Sequence, residues 1–342
     1  MLRRCRLMEL PGGSEKKGGR KAVIAVMPKL QENFALVVSD HTAGDPMDED
    51  LVWTYLSPRE ISDGLAKLGT PVSATTARRL LSEFGFSRRR PEKRKTMGHS
   101  PHRDEQFNII AALKAEYLPS ANPIISMDTK KKEFLGEFSR PGTAYGNKSD
   151  RVWDHDYNSF ATGKVIPHGL YDLKRNRGHL TFGASHDTSQ FACASFLLWW
   201  RRHGRAAYSN ADSILLLCDG GGSNNWRHHI FKEDLQKLVN KIDVPIRVAH
   251  YPPHCSKYNP IEHRLFSHVT RAWAGVVFRS LDIVVNCAKR TWTSTGLKLT
   301  TAVLDKAYEL QRKASSRFME AYPIEFEESL PDWNYTVRPA NY

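Results

Sequence analysis

The run Ile214-Leu215-Leu216-Leu217-Cys218 constrains the fold more than any other stretch of the chain. Five consecutive apolar residues cannot alternate between core and water. They predict a strand buried on both faces, as in a parallel or mixed sheet covered by helices. Asp219 ends the run, and Gly220-Gly221-Gly222 follow it. A carboxylate is therefore carried to the rim of the sheet, beside glycines that allow close backbone approach by another chain. The run Ile124-Ile125-Ser126-Met127 ends in the same way on Asp128. In an open α/β sheet that rim is where ligands bind.

Other elements complete an α/β pattern. Gln106 to Tyr117 reads as a helix, residues 130–138 (KKKEFLGEF) as a hairpin partner for the strand before Asp128, and Gly178 to Ala184 as a further strand. Ser189 to His203 and Ile230 to Lys241 have helical apolar spacing. PIRVAHY (245–251) is the next strand. Pro260 opens a helix to about Ala272, with Glu262 in its first turn, where the helix dipole favours a carboxylate.

Upstream the pattern differs. Residues 1–50, with PGGSEKKGGRK and DPMDED, read as a flexible lead-in holding one short helix near Pro28 to Val38. In 51–100, Ser57, Pro58 and Glu60 form a capping box with proline at the first helical position. Ile61, Leu65 and Leu68 continue that helix to Gly69. A second helix starts at Ser73 and ends at Gly85, exposing Arg78 and Arg79. Two short helices joined by a glycine turn suggest a helix-turn-helix, with a plain helical hairpin as the alternative. Arg88, Arg89, Arg90, Lys93, Arg94 and Lys95 follow as a basic linker suited to tracking phosphates, or simply solvated.

Hydrophobic residues make up 40% of the 342, enough for a core, and the formal charge of +13 favours a polyanionic partner. Five cysteines, widely spaced and without a CxxC pair, fit a reducing cytoplasm better than a disulfide framework. No apolar run is long enough to span a membrane. His250, His254, Cys255 and His263 match no common zinc spacing. Asp187, after the strand at 178–184, reads as a turn residue rather than a fourth acid. Cys218 lies in a buried strand and is not a candidate nucleophile.

Three carboxylates at a sheet rim suit phosphodiester chemistry, in which two divalent ions activate the attacking oxygen and stabilise the leaving one. An oxygen-only donor set selects Mg²⁺ or Mn²⁺. Each acid taken singly could be a turn or capping residue; the argument rests on the set.

The stretches ISMDTKKKE, VIPHGLYDL, HDTSQFA, LLLCDGGGSNNWR, LQKL, YPPHCSKYNPIEHRLFS, STGLKL and DWNYTV, spread over Ser57 to Val337, resemble the DDE transposases of bacterial insertion sequences, most closely the ISAzo-type family. The NPIE element alone is also similar to mariner-related transposases. The resemblance implies an RNase H-like mixed sheet flanked by helices (105–275), an N-terminal helix-turn-helix and a helical C-terminal region (276–342). It implies Asp128 on the first strand, Asp219 after the fourth and Glu262 on a following helix as catalytic acids and metal ligands. Two Mg²⁺ or Mn²⁺ ions are expected. The implied partners are double-stranded DNA with terminal inverted repeats and target DNA, handled by a homodimer or larger assembly at the bacterial nucleoid. Lys130 and Lys257, like Lys131, Lys132 and Arg264, flank the acids and are candidates for holding phosphates. Family members carry a further helix-turn-helix upstream of a stretch like Gly19-Arg20-Lys21; residues 1–18 here suggest an N-terminally shortened chain. The rival readings are a decayed transposase acting as a repressor, and an RNase H-like nuclease that cuts without joining.

Overall fold

In the computed structural model, residues 27–39, 41–45, 48–89 and 100–340 are described. They divide into two units, within 1–94 and 95–342. The expectations for 1–26 and for Arg90, Lys93, Arg94 and Lys95 lie outside the described residues.

The first unit contains α1 (Leu30–Ser39), a hairpin of β1 (Thr42–Asp45) and β2 (Asp48–Thr54), α2 (Pro58–Lys67) and α3 (Ala74–Glu83). The capping box forms as its residue types require. The Ser57 hydroxyl accepts from the Glu60 amide at 3.3 Å, and the Glu60 carboxylate accepts from the Ser57 amide at 2.7 Å. Ser73 caps α3 by accepting from the Thr76 amide. Gly69 and Gly85, just beyond the two helices, take the left-handed conformation (φ 77° and 81°) that closes a helix. Leu30, Phe34 and Val38 of α1 pack with Ile61, Leu65, Ala77 and Leu80. The short helix expected near Pro28 to Val38 is present as α1, and the lead-in reading is corrected where β1 and the start of β2 form a hairpin. The four-residue spacing of Leu30, Phe34 and Val38 makes α1 a core helix, and the acidic run from Asp48 enters a strand.

The second unit is built on a nine-stranded mixed sheet. In chain order its elements are α4 (Arg103–Tyr117), β3 (Ile124–Thr129), β4 (Glu133–Leu135), β5 (Gly163–Asp172), β6 (Arg177–Gly183), α5 (Ser189–Trp199), β7 (Ile214–Cys218), α6 (His229–Ile242), β8 (Ile246–His250), α7 (Ser267–Ala272), α8 (Leu281–Lys289), β9 (Lys298–Leu304), α9 (Ser316–Ala321), β10 (Ile324–Phe326) and β11 (Asn334–Val337). The order across the sheet is β10-β11-β8-β7-β3-β5-β6-β9, with β4 paired to β5. β3, β7 and β8 run parallel, while β5 lies antiparallel to both its neighbours, β3 and β6.

The apolar run of β7 is buried on both faces for the expected reason. Ile214, Leu216 and Cys218 face the cluster of Phe196, Trp199, Phe231 and Leu235 from α5 and α6. Leu215 and Leu217 face Ile110 and Tyr117 of α4. A third cluster joins Tyr171, Leu180 and Phe182 to Ile261, Leu265, Phe266, Trp273 and Val284.

Two expectations are corrected. Residues 130–138 are not the hairpin partner of β3: β4 pairs with β5, and β5 pairs with β3, placing Ile125 opposite Asp172. Proline, histidine and glycine inside VIPHGLYDL hide β5 from a period-two reading. Pro167 is tolerated there, and its carbonyl accepts from the Lys130 amide. Nor is 276–342 a helical region. Besides α8 and α9 it supplies β9, parallel to β6, and β11, antiparallel to β8. Strand pairing therefore crosses the expected boundary at 275. Short strands completed by distant partners carry little local signal.

Candidate active site

β3 and β7 are neighbours in parallel register, with Met127 beside Cys218. One residue further along, the chain presents Asp128 and Asp219 side by side at the carboxyl ends of the two strands. Asp128 is only 9% exposed. Its Oδ1 accepts from the Thr129 amide at 2.7 Å. Burial, with the charges of Asp219, Glu262 and Asp187, pushes its carboxyl up to about 8 against that hydrogen bond. Asp219 is pushed up to about 6 by burial, Glu262 and Asp187, opposed by the Gly221 amide, which donates to Asp219 Oδ1 at 3.4 Å. Four carboxylates thus share one electrostatic neighbourhood. Among the described residues, no three acids, histidines or cysteines stand close enough together to hold a metal ion between them.

Glu262 arrives on a wide helical turn, Glu262–Phe266, that leads into α7. Two glycines of the sheet let this segment approach closely. A Cβ on Gly169 would stand 2.5 Å from the Phe266 ring, and one on Gly178 would stand 2.6 Å from Leu265. The segment before Glu262 is tied to β3. Asn259, fully buried, donates from Nδ2 to the Met127 carbonyl at 3.3 Å and accepts at Oδ1 from the Ser126 hydroxyl. That same hydroxyl accepts from the Ile261 amide at 3.0 Å.

Behind Asp219 lies a second buried network. The Asp219 carbonyl can only accept, so His250 donates to it from Nδ1 at 3.1 Å, and Nε2 accepts from the Tyr335 hydroxyl at 3.0 Å. Burial pushes the imidazole down to about 4, which keeps it neutral in this role. Gln106 of α4 donates to the His250 carbonyl at 2.8 Å and exchanges hydrogen bonds with Asn334 of β11. The DWNYTV motif therefore supports the strand that carries Asp219. The role of His250 is not legible in the sequence, because its partners come from elements up to 144 residues away.

Asp187 precedes Thr188, which caps α5 through the Phe191 amide. It accepts from the Thr129 hydroxyl at 3.0 Å, next to Asp128. Asp187 thus belongs to the acidic neighbourhood, four residues past the end of β6.

The candidate phosphate contacts divide. Lys130 is packed rather than solvent-facing. Its ammonium lies 3.4 Å from Glu133 and 4.8 Å from the Trp273 ring centre, and burial pulls its pKa down. An arm held that way is not free to follow DNA, so that assignment is corrected. Lys257 is half-buried with its ammonium over the Tyr258 ring, and its carbonyl accepts from His263 Nε2. Arg78, Arg79, Arg88 and Arg89 are exposed, and Arg79 pairs with Glu83 at 3.4 Å. In the glycine run after Asp219, Gly222 takes φ 58°, and a Cβ on Gly220 would stand 2.9 Å from the Trp226 ring.

A family model described as Rhodopirellula transposase DDE domain matches residues 33–339, and the chain belongs to that family. Among solved structures, the chain is similar to the Mos1 transposase paired-end complex with left transposon end (13% identity, TM-score 0.40, covering 80% of this chain and 71% of that one). It is also similar to the Mos1 mariner paired-end complex with Mn (14%, TM-score 0.41, 80% and 72%) and to the Mos1 strand transfer complex (14%, TM-score 0.39, 80% and 71%). No curated protein matches the chain. Among the described residues, no helix is long and apolar enough to cross a membrane.

Proposed function

We propose that this transposase cuts DNA at the ends of an insertion sequence and joins the freed 3′-hydroxyl to target DNA, with Asp128, Asp219 and Glu262 as its metal-binding catalytic acids. The observation that carries the reading is the adjacency of Asp128 and Asp219 at parallel strand ends, where among the described residues neither carboxylate makes an ion pair. Numbered in chain order, the five central strands β3, β5, β6, β7 and β8 stand as 3-2-1-4-5 across the sheet. That order supports an RNase H-like catalytic fold.

In its chemistry, though not in its present spacing, the donor set suits a hard divalent cation. It is all oxygen, and the mutual repulsion that lifts Asp128 and Asp219 is relieved by positive charge. Mg²⁺ or Mn²⁺, two ions in all, would supply activation of the attacking oxygen and stabilisation of the leaving oxygen. The chain's own share is positional. Asp128 and Asp219 are fixed by β3 and β7, Gly221 orients the Asp219 carboxylate, and the Gly220–Gly222 run leaves room for a phosphate chain. Exposed Arg78 and Arg79 on α3 fit a helix-turn-helix role, with Arg88 and Arg89 on phosphates and the linker to Lys95 extending the same charge. The substrate is double-stranded DNA with terminal inverted repeats. Joining two ends calls for a homodimer or larger assembly, acting at the nucleoid in the bacterial cytoplasm.

The test is strand nicking on a duplex carrying the element's end. Mg²⁺ and Mn²⁺ are expected to support nicking, and chelation to abolish it. Nicking that survives exhaustive chelation contradicts the reading. Nicking without joining would leave a nuclease instead.

A further inference from the structure

We infer that Ser126 and Asn259 form a latch that fixes where Glu262 stands relative to Asp128, so that both are positioning residues for the metal-binding acids. The inference rests on the proposed catalytic role of those acids and goes beyond it by naming what aims them.

Ser126 lies two residues before Asp128, and Asn259 three residues before Glu262. Both are fully buried. Every polar group of Asn259 is used. Its amide donates to the Ser256 carbonyl at 2.9 Å, and its carbonyl accepts from the Glu262 amide at 3.0 Å. Its side-chain oxygen accepts from the Ser126 hydroxyl, and its side-chain nitrogen donates to the Met127 carbonyl. The Ser126 oxygen then accepts from the Ile261 amide. Three hydrogen bonds thus join the strand of one acid to the turn of another across more than 130 residues of sequence.

Asparagine suits this place on chemical grounds. The position needs one acceptor for a hydroxyl and one donor for a carbonyl. An amide supplies both, whereas aspartate would set a buried carboxylate against the Met127 carbonyl. Pro260 fixes the backbone between the latch and the helix. Among the described residues, no hydrogen bond or ion pair holds the Glu262 carboxylate itself. Its position is therefore set through its backbone, and the latch ties that backbone to β3. Groups that orient ligating carboxylates govern metal affinity nearly as strongly as the ligands do.

The test uses the purified full chain and Mn²⁺ alone as probe, with binding read by electron paramagnetic resonance. Ser126→Ala and Asn259→Ala are each expected to weaken Mn²⁺ binding about 10-fold or more, the range for groups that orient ligands. The double variant should be no weaker than the worse single variant, because either change opens the whole latch. Binding to a DNA end should be unchanged. If Asn259→Ala does not fold, Ser126→Ala, which removes one hydroxyl, carries the test alone. A folded Ser126→Ala protein with wild-type Mn²⁺ affinity overturns the latch, as do losses that multiply in the double variant. Asp128→Asn separates the two claims. If it retains Mn²⁺ binding, the active-site reading itself fails. If it loses binding while Ser126→Ala keeps it, only the latch fails.

Discussion

Asp128 and Asp234 are buried aspartates of the same unit, 9% and 3% exposed, and their surroundings are opposite. Asp234, on α6, is held by both terminal nitrogens of Arg312 at 2.9 Å and by the Ser189 hydroxyl at 2.6 Å. Its neighbour Glu233 accepts from the amide and hydroxyl of Ser315 and pairs with Lys237. Asp128 has one backbone donor and three carboxylates around it. Burial of a carboxylate is offset by a cation of the chain at one place and left unbalanced at the other. Since a buried charge without a partner is costly, the imbalance fits the proposed role of this place in taking a cation from outside the chain. The first arrangement fastens the segment around Arg312 and Ser315 to α6; the second is chemistry held ready.

The widest split between the two is expected on substitution. Asp128→Asn should lower strand nicking by orders of magnitude yet raise the thermal midpoint of the protein without divalent ions. The sign follows from the raised carboxyl. Its stabilising, protonated form is present below the unfolded value near 4 and is lost as pH rises toward about 8, so the amide's advantage grows across that window. Asp234→Ala should instead cost about 3–5 kcal/mol by stranding Arg312, toward the lower figure because that side chain is 23% exposed. Thermal unfolding at pH 5 and pH 8 checks both. Asp128→Asn destabilising the metal-free protein at pH 8 would break the comparison.

A smaller effect concerns the sheet's neutral polar core. His168 is fully buried, its Nδ1 donating to Ser195, whose hydroxyl is given to Thr181. Burial pushes its imidazole down to about 3. Its contribution is therefore complete above the unfolded value near 6.5 and is lost as pH falls, by about 1.4 kcal/mol per pH unit below that value. His168→Gln should flatten the fall in thermal midpoint between pH 7 and pH 4. An unchanged slope would show that this histidine is not what makes the core acid-sensitive.

What was legible in the sequence was whatever is local. The unbroken apolar run of β7, the acids closing β3 and β7, the capping box at Ser57 and the proline opening the Glu262 helix each carry their signal within a few residues. The three acids stood out because each followed a strand or opened a helix. What was not legible depends on distant partners. β5 is disguised by Pro167, His168 and Gly169, and Gly169 is explained only by the Phe266 ring lying against it. β9 and β11 are strands because β6 and β8 offer edges to pair with. The role of Asn259 appears only with Ser126 beside it. Lys130 looked like a free cation because Trp273 lies far along the chain.

The central claim, that Glu262 serves chemistry rather than its helix, is tested most directly by Glu262→Gln. The change removes the charge and nearly preserves the size. A first-turn carboxylate contributes only about 0.3–1 kcal/mol to a helix, so folding should survive, as should DNA-end binding through the proposed helix-turn-helix. The measurement is strand nicking by the purified, folded, DNA-binding variant in Mg²⁺. Loss of nicking by several orders of magnitude is the predicted result, because transition-state stabilisation by bound ions is worth several kcal/mol. Nicking near the wild-type rate would contradict it and remove Glu262 from the active site.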